Sequence, residues 1–287
     1  MISVLSRYGG IQSQEDADYL LNQGEYRKLS DVEAKEISAN WTGSHANNQQ
    51  PTADTNFSPQ AQTDVPFHLK LSLSQPAPFM VPNLPPQGVI GRNRLLANVV
   101  NKLQIARPEI EVPPVALKGM GGIGKTIMSL AVGRLPEMQT HFPDGILWVE
   151  LGPEPDVRVE LEKWGRALGI DLIPEQSTKA CQERLQGILH QRRVLLIVDD
   201  VWQTKHGRFF TNLAGVNGRT IITTRELDIA QDLALRENTL KVDVLEPAAS
   251  LQLLTHIAPE VAIHQNLAKK LCARLEHLPL GITLAGK

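Results

Sequence analysis

Gly119-Met120-Gly121-Gly122-Ile123-Gly124-Lys125-Thr126 stands between two runs of different character. Before it, Val115-Ala116-Leu117-Lys118 is short, apolar and β-prone, and Pro113-Pro114 mark off its start. After it, Ile127-Met128-Ser129-Leu130-Ala131-Val132 reads as the first turns of a buried helix. The glycines therefore fall where a strand hands over to a helix N-terminus, the context in which this pattern works as a phosphate-binding loop. There the free backbone N–H groups and the positive end of the helix dipole converge on an anion. Glycine lets the backbone wrap phosphates without a Cβ clash. The pattern has Lys125 reaching the β- and γ-phosphates and the Thr126 hydroxyl ligating Mg²⁺. A nucleotide is the expected ligand.

Outward from the loop, strands alternate with helices from Val89 onward, which predicts a parallel sheet covered on both faces. The strand candidates are Val115–Lys118, Gly145–Glu150, Val194–Val198, Thr220–Thr224 and Leu240–Val244. Helical spacing groups Val157, Leu161, Trp164 and Leu168 on one face, and Cys181, Leu185 and Ile188 on another. Beyond Val244 nothing is β-like. Leu251, Leu254 and Ile257, then Leu267, Leu271 and Leu275, predict two helices of a separate helical unit.

Leu195-Leu196-Ile197-Val198-Asp199-Asp200 reads as a buried strand ending in two carboxylates, about 70 residues beyond the loop. In an open α/β sheet such ends face the ligand. Asp199 suits holding Mg²⁺ through water, and Asp200 suits orienting or deprotonating an attacking water. The next strand ends in Arg225, whose planar fork matches phosphate oxygens. On its own, Arg225 reads more often as a surface residue paired with Glu226 or Asp228.

The 287 residues have room for one large domain or two small ones, and the net charge is −2. Basic residues are scattered, so no polyanion partner is indicated. The two cysteines, Cys181 and Cys272, fall in apolar helical stripes and are expected as core thiols in a reducing compartment. The eight histidines share no metal-ligand spacing. Trp148 and Trp202, next to strands, are expected as core anchors. No signal peptide or bilayer-length apolar run is found, which makes a cytoplasmic protein with no membrane contact the expectation. Residues 1–40 hold two short helix candidates, 13–21 and 30–41, the second opened by a capping box of Ser30 and Glu33. Residues 41–86, rich in Gln, Asn, Pro, Ser and Thr, read as a disordered linker. The nucleotide-binding domain is expected over 87–246 and a partial helical subdomain over 247–287.

With these segments in place the chain resembles the nucleotide-binding module of the NB-ARC family, within the STAND class of P-loop NTPases. The resemblance rests on the loop, on Phe142-Pro143-Asp144-Gly145-Ile146-Leu147-Trp148-Val149, on the run 195–202 and on Ile221-Ile222-Thr223-Thr224-Arg225. Val89-Ile90-Gly91-Arg92 is similar to the family's opening motif, and Leu278-Pro279-Leu280 to its helical-subdomain proline motif. The resemblance implies a three-layer α/β P-loop fold with a five-stranded parallel sheet, followed by the start of an all-helical subdomain. It implies that Gly119, Gly121, Gly122, Ile123, Gly124, Lys125, Thr126 and Ile127 surround the phosphates, and that Thr126 and Asp199 serve Mg²⁺. Asp200 then serves the water, Arg225 senses the γ-phosphate, and Arg92 and Pro279 flank the adenosine.

Three departures stand out. Ile127 occupies a position where many members carry Thr or Ser, and Asn93-Arg94-Leu95 lacks the usual acidic residue. The winged-helix portion and the C-terminal repeats do not follow, which implies readier nucleotide exchange and either a fragment or a chain completed by a partner. The expected function is an ADP/ATP switch with slow or no hydrolysis, read out as a change of self-association or protein partner. The alternatives are a genuine ATPase or phosphotransferase, a DNA-binding regulator, and a truncated pseudo-switch that no longer retains nucleotide. Against the second alternative, residues 1–86 carry no basic excess and show no helix-turn-helix.

Overall fold

The computed structural model describes residues 77–107 and 110–287. The helices expected at 13–21 and 30–41, and the linker up to residue 76, lie outside the described residues. Described helices are α1 (Asn93–Lys102), α2 (Lys125–Gly133), α3 (Pro136–His141), α4 (Val157–Ala167), α5 (Thr178–Leu189), α6 (Thr204–Thr211), α7 (Leu227–Leu233), α8 (Pro247–Ile257), α9 (Gln265–Arg274) and α10 (Pro279–Ala285). Strands are β1 (Val115–Lys118), β2 (Gly145–Gly152), β3 (Val194–Val201), β4 (Arg219–Thr224) and β5 (Thr239–Lys241). They form one parallel sheet in the order β2-β3-β4-β1-β5.

Strand periodicity assigns each side chain to a layer, because successive residues face opposite sides of a sheet. Leu196 and Val198 of β3 join Leu147, Ile222, Trp164, Cys181 and Phe210 in one core. Leu195 and Ile197, their alternates, join Leu117, Ile221, Val99, Met128 and Met138 in the other. Both faces are thus buried, which is why β3 reads as an unbroken apolar run. A third core, around Leu253, Leu254, Ala268, Cys272 and Ile282, holds α8, α9 and α10 together.

Several details differ from expectation. In α9 the buried residues are Ala268 and Cys272, while Leu267 is 63% and Leu271 38% exposed. Small side chains let α9 press close to its neighbours, and that contact outweighs the leucine spacing. On α5 the third buried position is Leu189 rather than Ile188. β5 stops at Lys241, although the Val242 N–H still donates to the Lys118 carbonyl at 2.8 Å. The described end of the stretch read as linker, residues 77–86, is packed. Ile146 donates to the Pro78 carbonyl (2.8 Å), Met80 donates to the Ile146 carbonyl (2.9 Å), and Val81 is buried. Two residues on, the Trp148 carbonyl accepts from the indole of Trp164 at 2.9 Å. The outer edge of β2 is therefore capped, which removes an unpaired row of backbone groups.

Arg219 is a buried tie that sequence patterning does not show. It donates to the carbonyls of Leu103, Val216 and Gly218 at 2.7 Å each and of Arg107 at 2.9 Å. The end of α1 and the start of β4 are clamped by one guanidinium.

Candidate functional site

All five strands are parallel, so their carboxyl ends share one edge. Lys118 is in register with Thr224, so the residues that follow, Gly119 and Arg225, leave the sheet side by side. The Gly119 N–H donates to the Thr224 carbonyl at 3.3 Å. The loop then needs two left-handed residues, Gly122 (φ +74°) and Gly124 (φ +98°), before α2 begins. No side chain caps that helix start. Its first-turn amides and the dipole face the cleft, the arrangement that favours an anion.

Lys125 is buried and donates to the carbonyls of Gly119 (2.8 Å) and Met120 (3.1 Å). Burial, reinforced by the charge of Arg225, lowers its pKa, against the opposing pull of Asp200 and Asp199. A cation held on loop carbonyls in this way is poised to exchange them for phosphate oxygens.

Across the cleft, Asp199 is 1% exposed and accepts from Thr126 Oγ1 at 2.8 Å and Thr223 Oγ1 at 2.6 Å. Thr223 Oγ1 in turn accepts from the Asp200 N–H at 2.9 Å. Burial pushes the Asp199 carboxyl above its ordinary range. The two hydroxyl bonds oppose that rise, and the charges of Glu150 and Asp200 add to it.

Ladder pairing between β3 and β4 is irregular between Val198 and Val201, and Asp200 there takes a left-handed φ of 50°. Its carboxylate accepts from the Trp202 indole at 2.7 Å and lies 3.7 Å from Arg225 Nε. Arg225 thus pairs with Asp200, rather than with Glu226 or Asp228 as its sequence neighbours suggested. Trp202 corrects a further expectation: it is 41% exposed and stands beside Asp200 and Arg225, whereas Trp148 is buried. The apolar run ends at Val201, so nothing remains to cover an indole before α6 starts.

Residues 121–127 of the loop, together with Arg92, Asp199, Asp200, Arg225 and Pro279, line a cleft of about 440 Å³, within the range of about 300–1,000 Å³ of small-molecule sites. Gly119 does not line it; it sits behind the loop, where its carbonyl takes Lys125. The far end is apolar, built from Val89, Ile90, Leu245, Leu253 and Pro279. There Arg92 Nη2 donates to the Ile123 carbonyl at 3.1 Å, and burial lowers its pKa against the opposing charge of Asp243. From α10, the Leu280 N–H donates to the Gly122 carbonyl at 3.2 Å.

Sequence reasoning missed Glu150, Thr223, Trp202 and Leu280. Glu150 left a trace, as the acidic residue near the end of an apolar strand; β-pairing sets it opposite Asp199. Thr223 left none, because a β-branched residue in a strand is ordinarily just a good strand former.

A phosphate loop between β1 and α2, opposite a carboxylate pair at the end of β3, defines a P-loop nucleotide-binding fold. An NB-ARC domain model matches residues 92–263, more than half of the sequence, and the chain belongs to the NB-ARC family. It is similar to the regulatory protein AfsR of Streptomyces griseus, 29% identical over 243 residues, covering 81% of this chain and 23% of the relative. It is also similar to the probable disease resistance protein At4g27220 of Arabidopsis thaliana, 25% identical over 198 residues, covering 66% of this chain and 21% of the relative. The chain therefore spans less than a quarter of the length of these curated relatives. Among solved structures, the Aeropyrum pernix ORC1 protein in complex with DNA aligns at 16% identity with a TM-score of 0.48, covering 70% of this chain and 60% of that one. Among the described residues no helix is long and apolar enough to cross a membrane.

Proposed function

We propose that this chain is a signalling switch that binds ADP and ATP and hydrolyses ATP slowly. The observation that carries the reading is that α8 and α10 close the cleft directly onto the phosphate loop. Leu253, Pro279 and Leu280 line it, and Leu280 bonds to Gly122. A ligand seated there touches the sheet domain and the helical unit together, so its phosphate content can bias how they meet. In this reading residues 87–246 form the nucleotide-binding domain and 247–287 a partial helical subdomain.

Each role follows from the groups present. The loop amides and Lys125 hold the β- and γ-phosphates, and the apolar end with Arg92 and Pro279 receives the adenosine. The Thr126 hydroxyl and the Asp199 carboxylate form an oxygen-only donor set that fits Mg²⁺, a hard cation that keeps several waters. When bound, that ion neutralises phosphate charge. Arg225 reads the γ-phosphate. In hydrolysis, water forms a bond to the γ-phosphorus as the bond to the β–γ bridging oxygen breaks. Asp200 takes the water proton, and ADP and inorganic phosphate leave. Two buried thiols, Cys181 and Cys272, suit a reducing compartment such as the cytoplasm. Relatives named as a regulatory protein and a disease resistance protein support a signalling output, which we assign to a change of self-association or protein partner.

The test is titration calorimetry of ADP and ATP with and without Mg²⁺, on wild type and Lys125→Ala. Loss of a charge-assisted bond predicts affinity lower by about 10- to 100-fold for both nucleotides. Unchanged affinity sinks the phosphate-loop assignment. Asp200→Ala keeps ATP binding and loses turnover; undiminished hydrolysis removes Asp200 from the mechanism.

A further inference from the structure

The Trp202 side chain makes two polar contacts that no packing role requires. Its indole N–H donates to Asp200 Oδ2 at 2.7 Å, and its ring lies under the Arg225 guanidinium, with Cζ 4.5 Å from the ring centroid. On the other side, Arg225 stands against the phosphate loop. A Cβ built at Gly121 would lie 3.3 Å from Arg225 Nη1 and 3.5 Å from Cζ. The guanidinium is therefore held between an aromatic platform and the loop, with its Nε 3.7 Å from Asp200 Oδ1. Trp202 is 41% exposed and the Arg225 side chain 45% exposed, so neither is held there by burial.

We infer that Trp202 is a positioning residue: one face of its indole aims Arg225 at the γ-phosphate while its N–H fixes the Asp200 carboxylate for the attacking water. The inference rests on the roles proposed above for Arg225 and Asp200. Its physical content is preorganisation. An arginine on a long, half-exposed stem has many rotamers to lose on meeting a phosphate, and stacking removes most of them in advance. A carboxylate beside a guanidinium would collapse onto it; the indole N–H competes for one oxygen and holds the carboxylate apart, at 3.7 Å rather than in a close ion pair.

The two contacts separate by substitution. Trp202→Phe keeps an aromatic face and loses the N–H; Trp202→Leu loses both. ADP and ATP·Mg affinities and single-turnover hydrolysis are measured for wild type, both variants and Arg225→Ala. ADP affinity is expected to stay at the wild-type value in both Trp202 variants. Trp202→Leu weakens ATP about 2- to 5-fold, the size of a half-exposed cation–π contact. Trp202→Phe restores ATP affinity yet hydrolyses about 10- to 100-fold more slowly, because a misaligned base costs rate rather than binding.

An unchanged preference for ATP over ADP in Trp202→Leu overturns the platform. Equal losses of ADP and ATP affinity in both variants overturn it too, since they mark a purely structural role. Wild-type hydrolysis in Trp202→Phe, or no single-turnover hydrolysis by wild type, overturns the Asp200 half. If Arg225→Ala leaves the ATP preference intact, the γ-phosphate reading of Arg225 is what fails, and the inference falls with it.

Discussion

Gly122→Ala is the perturbation that tests whether α10 is tied to the phosphate loop. Gly122 has φ +74°, where an L-residue is strained by about 1–2 kcal/mol. The new methyl would lie 2.7 Å from Leu280 Cβ and 2.9 Å from Leu280 Cδ2, so α10 has to move away. That movement breaks the 3.2 Å bond from the Leu280 N–H to the Gly122 carbonyl, a loss of about 0.5–1.5 kcal/mol. Together the two effects come to about 1.5–3.5 kcal/mol. For a unit of this size that lowers Tm by about 3–14 °C. Gly124→Ala is the comparator, because its φ is +98° and nothing lies within 4 Å of the added Cβ. It carries backbone strain without the contact. Amide hydrogen exchange read by mass spectrometry separates the two. Exchange across residues 279–285 is expected to quicken about 2- to 10-fold in Gly122→Ala and to stay at the wild-type rate in Gly124→Ala. Equal protection of α10 in both variants, whatever their Tm, would refute the coupling.

Three further predictions concern the buried Asp199 and Arg219 and the exposed Glu150. Because burial raises the Asp199 pKa, the folded state holds that proton more firmly than the unfolded chain. Its contribution to stability is full below the ordinary carboxylate range and is lost as pH rises through the raised value. The stability of wild type relative to Asp199→Asn should therefore fall with rising pH across that window, and a flat difference in thermal unfolding would sink the claim. Glu150→Gln should lower the upper edge of the same window, since the Glu150 charge adds to the shift. Arg219→Met removes the donor of four carbonyls, and urea unfolding should register a loss of about 3–5 kcal/mol. A loss below about 1 kcal/mol would mean that water satisfies those carbonyls as well as Arg219 does.

What the amino-acid sequence determined alone is what short-range pattern can carry. A Gly-rich stretch between an apolar strand and a helix has one good use, so residues 119–126 declared the phosphate loop. The alternation of strand-like with helical runs, and an apolar run ending in Asp199-Asp200, declared the buried parallel strands and their polar edge. Those signals are local because they report backbone angles and which face of one element is wet. What only the tertiary structure decided depends on which distant elements become neighbours. The strand order sets Glu150 opposite Asp199 and Thr223 against it, and neither neighbour is visible in either segment by itself. The face of α9 follows how close α8 allows it to come, so Ala268 joins Cys272 in the core while Leu267 and Leu271 stay exposed. Arg219 owes two of its four acceptors to distant chain, the Leu103 carbonyl being 116 residues away in sequence. Trp202 reads as a core residue by composition. It joins two residues of the cleft lining because the left-handed turn at Asp200 and the neighbouring end of β4 bring a carboxylate and a guanidinium to its two polar surfaces. Periodicity encodes burial, whereas the pairing of charges across a sheet edge is encoded only in the order of its strands.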